Sequence, residues 1–100
     1  MGKLVRDKII QIIKDSGRDP KYKVLSQKDY KNSLRKKLLE ESQEVVEAKS
    51  KKELAEEIAD VQEVLECLKK AYGLRSQDVK KIQNKKRKER GSFLKKLFLI

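Results

Sequence analysis

Apolar positions recur along this chain in two long helical stripes. Leu34, Leu38, Val45 and Ala48 follow one another at helical spacing, and Leu54, Ile58, Val61, Val64, Leu65, Leu68 and Tyr72 build the second stripe. The first predicts a helix from about Asp29 to Ala48, with Ser26 or Asp29 as its cap. The second predicts a helix over about 51–72. Ser50-Lys51-Lys52-Glu53 fits a capping box, in which the Ser side chain and the Glu three residues on satisfy free backbone donors at a helix start. Gly73 is a natural C-cap. So few residues separate the two helices that they must fold back as an antiparallel hairpin.

The flanks are less regular. Residues 4–16 read as a short first helix stopped by Gly17, although four Ile in five positions also suit a strand. Its Ile pairs are broad enough to be covered on more than one side. Residues 17–28, with Gly17, Asp19-Pro20 and a Tyr22-Lys-Val-Leu run, predict a loop of partly extended character. Ser76 with Asp78 starts a fourth helix over 77–90, which Gly91 ends. Its apolar content is thin, only Val79 and Ile82. The last eight residues, Phe93-Leu-Lys-Lys-Leu-Phe-Leu-Ile100, are apolar enough to dock on the bundle or on a partner subunit, or to lie on a membrane surface. The expected fold is a single all-α domain over 1–100, an antiparallel helical hairpin or bundle of about four helices completed by oligomerisation, since a chain this short buries a modest fraction of its surface alone.

The informative irregularity lies inside the stripes. Midway through the Leu34 series, where a further apolar residue belongs, stands Glu41. In the second stripe Glu57 falls within the apolar arc and Asp60 at its edge. Residues three apart on a helix are neighbours, so Glu41 and Glu44 make one carboxylate pair and Glu57 and Asp60 another. Both pairs lie at a similar distance from the hairpin turn, so the four acids can converge. A lone carboxylate so placed costs several kcal/mol or gives up its charge, and a shared cation relieves it. Glu40, Glu47, Glu53, Glu56, Glu63 and Glu66 fall off the stripes and read as solvated partners of Lys.

Charge divides the chain in the same way. The net charge is +11, yet residues 1–39 carry +8, residues 40–66 carry −7 and residues 67–100 carry +10. Basic chains attract polyanions: nucleic acid, anionic membrane or phosphorylated small molecules. Charged residues are 43% of the sequence and aromatics 5%, which suits long helices with exposed charged faces. There is no His, so Ser-His and Cys-His arrangements and imidazole ligands are excluded. The single cysteine, Cys67, allows no intramolecular disulfide and reads as packing or helix surface. No apolar run is long enough to span a membrane and no signal-peptide pattern opens the sequence, so a cytoplasmic location is expected. The four Gly stand at 2, 17, 73 and 91, so no Gly-rich phosphate loop exists.

Oxygen-only ligands from four carboxylates select a hard cation, Mg²⁺ or Mn²⁺, which keeps waters and shares positions with substrate phosphates. That chemistry suits attack of water on a phosphoanhydride, with basic residues neutralising the remaining polyphosphate. Glu44 is the candidate for orienting the attacking water. Lys85, Lys88 and Arg90, from the basic Asn84–Arg90 run, are candidates for the phosphates, unless that run is a solvated or nucleic-acid-binding face. Arg6 and Asp7 stand as an opposed pair, read as a surface or helix-start ion pair or as part of the site.

Glu40-Glu41-Ser42-Gln43-Glu44, separated by twelve residues from Glu57-Ile58-Ala59-Asp60, resembles the motif of the all-α nucleotide pyrophosphohydrolases that include MazG, the dimeric dUTP pyrophosphatases and phosphoribosyl-ATP pyrophosphohydrolase. Leu4-Val5-Arg6-Asp7-Lys8-Ile9 and Glu89-Arg90-Gly91-Ser92-Phe93 resemble a MazG-like subgroup similar to the phosphoribosyl-ATP enzymes, so the resemblance covers nearly the whole chain. It implies Mg²⁺ on Glu41, Glu44, Glu57 and Asp60, release of pyrophosphate from a nucleoside triphosphate to leave the monophosphate, and a homodimer or homotetramer of helical hairpins. Ile10, where the subgroup commonly has Pro, and Ser92, where it commonly has a second Gly, depart from the pattern outside the acidic motif. The competing reading is a non-catalytic basic helical module that binds nucleic acid or a protein partner.

Overall fold

The structure, a computed structural model, describes residues 2–100. Four helices follow in order: α1 (Ile9–Asp15), α2 (Gln27–Glu47), α3 (Lys51–Ala71) and α4 (Ser76–Arg90). Among the described residues there is no strand, so the Ile-rich start resolves as helix. It is a helix of only seven residues. Residues 4–8 stay outside it: Lys8 at the N-cap offers no side-chain hydrogen bond, and Arg6 is drawn elsewhere. Ile12 lies exposed, so α1 is not covered on every side. Its end is closed by Gly17 at φ 88°, with the Gly17 N–H on the Lys14 carbonyl and the Arg18 N–H on that of Ile13.

The long helices carry the caps that their sequences provide. Ser26 Oγ accepts from the Asp29 N–H at 3.2 Å, so Ser26 rather than Asp29 caps α2. Ser50 Oγ accepts from the Glu53 N–H at 3.1 Å. The reciprocal half of that capping box is shifted by one residue, because the Glu53 carboxylate takes the N–H of Lys49 and not that of Ser50. At its other end α3 closes through Gly73 at φ 67°, with the Gly73 N–H on the Lys70 carbonyl and the Leu74 N–H on that of Lys69.

Packing is concentrated where α2 meets α3. Leu34 from α2 and Val64 from α3 are the buried apolar residues, 3% and 8% exposed. The antiparallel pair is tied at its open end. Gln27 Nε2 donates to the Ala71 carbonyl, Arg35 Nε donates to Tyr72 Oη at 2.9 Å, and Lys31 and Arg35 both stand over the Tyr72 ring. The second stripe is only half used. Leu54, Ile58, Leu65 and Tyr72 remain exposed.

Beyond the hairpin the chain is open. Every residue from Tyr72 to Ile100 is exposed, and among the described residues α4 makes no packed interface with another helix. Ser76 is the first residue of α4 and not its cap. Arg75 occupies that place, with its guanidinium on the Asp78 carboxylate. The apolar tail 93–100 does not dock on the hairpin. Phe93, Leu94, Leu97, Phe98, Leu99 and Ile100 all face solvent within one chain. Among the described residues, no helix is long and apolar enough to cross a membrane.

Candidate metal centre

Glu41 lies on the face of α2 that turns inward, one register step from Leu34 and Leu38, and among the described residues is the buried charged one, at 8% exposure. Glu57 stands an equal number of residues from the turn on α3, which brings the two side chains to the same height. Glu44, one helical turn after Glu41, joins them from the exposed rim. One carboxylate oxygen from each of Glu41, Glu44 and Glu57 can be chosen so that all lie within 4.8 Å of one another. An ion with Mg²⁺-type bonds spans about 4.2 Å between opposite ligands, a separation of the same order.

The oxygens of this cluster are short of partners. Glu41 Oε2 and Glu57 Oε2 are both buried without a hydrogen-bond partner. A buried acceptor left unpaired is costly, and costlier when it carries charge. Glu57 responds by holding its proton. A hydrogen bond with Glu44, then partial burial, then the negative charges of Glu44, Asp60 and Glu41 push it from the ordinary carboxylate range up to about 7. Near neutral pH Glu57 thus stands between its protonated and ionised forms.

Asp60 stands apart from the three. Its Oδ1 accepts from Arg6 Nη2 at 2.6 Å, across fifty-four residues of sequence. Arg6 does not pair with Asp7, the partner its neighbour position suggested. Lys37 Nζ lies 3.4 Å from Glu41 Oε1 and 3.5 Å from Glu40 Oε2. Arg6 and Lys37 are the only cations within 4.0 Å of the four acids among the described residues. Both line a cleft of about 670 Å³ in which residues 3–9 arch over the hairpin, facing Leu34, Glu41, Asp60, Val64 and Cys67. Cys67 is half-buried there, 3.9 Å from Glu63 Oε2.

Of the seven side chains singled out from the sequence, the structure gathers Glu41, Glu44 and Glu57, sets Asp60 one turn away on an ion pair, and leaves Lys85, Lys88 and Arg90 outside the cleft. The last three are solvent-exposed on α4, where Lys85 reaches only Glu89 at 3.9 Å. The physical reason is the absence of an apolar stripe that could dock α4 against the hairpin. Lys37 was legible as the residue four before Glu41. Nothing in the local sequence marked Arg6 as the partner of Asp60.

No protein-family model, curated protein or solved structure matches this chain.

Proposed function

We propose that this chain is a Mg²⁺-dependent nucleoside triphosphate pyrophosphohydrolase of the MazG-like kind, with Mn²⁺ as an alternative ion, acting in the cytoplasm as a homodimer or homotetramer. One observation carries the reading. A glutamate occupies a core position of a helical hairpin, and its Oε2 has no partner while two further carboxylates stand beside it. A purely structural helix gains little from that arrangement, since Lys37 answers only Oε1 and leaves Oε2 unpaired.

Glu41, Glu44 and Glu57 would hold the ion, with Asp60 joining from the next turn of α3. Bound there, the ion would polarise the reacting phosphorus and stabilise the departing pyrophosphate. Glu44, at the exposed rim, orients the attacking water. The half-exposed second stripe, with Leu54, Ile58 and Leu65 open, supports a second copy covering the hairpin. Lys85, Lys88 and Arg90 contact substrate phosphates only where such assembly brings an α4 to the acids.

The test is a panel of nucleoside triphosphates incubated with Mg²⁺ and assayed for pyrophosphate. Release from at least one of them, lost on chelation, is expected. No release from any, with the helical fold intact, would overturn the reading.

The basic, wholly open α4 favours a second reading, a non-catalytic module for nucleic acid. Micromolar duplex binding that weakens steeply with salt, in a chain without turnover, would select it.

A further inference from the structure

Arg6–Asp60 is, among the described residues, the only ion pair joining parts of the chain distant in sequence; the others link residues three or four apart. It anchors the irregular N-terminal segment over the cleft that holds Glu41. The contact is single: one guanidinium nitrogen meets one carboxylate oxygen, and the other Arg6 donors have no protein partner among the described residues. Both side chains are partly wet, at 59% and 39% exposure. Such a pair holds weakly and exchanges readily. A guanidinium with free donors is also well matched to a phosphate, which it can grip with two parallel hydrogen bonds.

From these observations, and resting on the metal-site reading above, we propose that Arg6 is an exchangeable counter-ion for Asp60 and a positioning residue for polyphosphate. In the free protein Arg6 keeps Asp60 out of the Glu41–Glu44–Glu57 cluster. When a divalent ion carrying a polyphosphate binds at Glu41, which lies both in the cluster and in the cleft wall, Asp60 passes to the ion and the Arg6 guanidinium passes to a phosphate. Lys37, already beside Glu41 in the same cleft, supplies a second cation for that chain of phosphates. The phosphate-binding side of the site then lies on the N-terminal segment and α2, not on α4.

The two halves of the exchange give opposite signs, which separates them from a structural role. Removing Arg6 frees Asp60, so Mn²⁺ alone binds the Arg6→Gln chain about two- to fivefold more tightly than wild type. The same substitution weakens inorganic tripolyphosphate in the presence of Mn²⁺ by about tenfold or more. Arg6→Lys, which keeps the charge without the fork, holds Mn²⁺ as wild type does and binds tripolyphosphate at an intermediate level. Titration calorimetry of Mn²⁺, then of tripolyphosphate on the Mn²⁺-loaded full chain, measures both. Unchanged affinities in Arg6→Gln, or Mn²⁺ and tripolyphosphate affinities that fall together, would overturn the exchange. A wild-type chain that binds no Mn²⁺ would overturn the metal-site reading itself.

Discussion

The α2–α3 hairpin and the α4-plus-tail segment are both helical and both rich in charge, yet they behave differently. In the hairpin, charge is set against a continuous apolar stripe, so Leu34 and Val64 are buried and Glu41 is carried inside with them. In α4, Lys80, Lys81, Lys85, Lys86, Arg87, Lys88 and Arg90 go all round the helix, leaving Val79 and Ile82 too sparse to form a face. Nothing from Tyr72 onward is buried. The contrast teaches that the position of a charge relative to the apolar pattern, not the amount of charge, decides where chemistry can be concentrated.

The sharpest way to break the comparison is to move charge out of the stripe. Glu41→Gln and Asp60→Asn are expected to lower pyrophosphate release by about a hundredfold or more. Metal-free thermal stability should stay equal or rise in Glu41→Gln, which removes one like charge from a crowded cluster, and should fall by no more than about 1 kcal/mol in Asp60→Asn, which gives up a solvent-exposed pair with Arg6. A large loss of metal-free stability in a melting curve would mark these acids as structural ion-pair partners. Next in size, Leu34→Ala should destabilise the chain by about 2–4 kcal/mol in denaturant unfolding, as burial at the hairpin core requires. Ser50→Ala should cost about 1 kcal/mol by removing the α3 cap.

A smaller effect follows from Glu57. Its pKa is raised in the folded chain, so the folded state binds the proton more tightly than the unfolded state does. That contribution is fully present below the ordinary carboxylate range and is lost as pH rises through about 7. Metal-free stability should therefore decline over that window, modestly because the site is partly open to solvent, and Glu57→Gln should flatten the decline. Smallest of all, Ile82→Ala on α4 should change the stability of the free chain by less than about 0.5 kcal/mol. A loss comparable with that of Leu34→Ala would show that α4 is covered in solution.

Much of this was readable from the residues. The stripes and the caps Ser26, Ser50 and Gly73 place both long helices to within a residue or two, because local periodicity and capping are short-range physics. The inward place of Glu41 follows from the same register. The first helix is shorter than its apolar run predicts, since no side chain caps a start before Ile9. Arg6–Asp60 is a long-range contact with no local signature. The openness of α4 was only hinted at by its thin apolar content, and burial depends on what surrounds a helix as well as on the helix itself.

The central claim is that Glu41 sits inside the hairpin to serve a divalent cation. Calorimetric titration of Mn²⁺ into the wild-type chain and into Glu41→Gln tests it most directly. Saturable binding by the wild type, lost or greatly weakened in a Glu41→Gln chain of equal helicity, is the expected result. No binding by the folded wild type, or the same affinity in both chains, would contradict it.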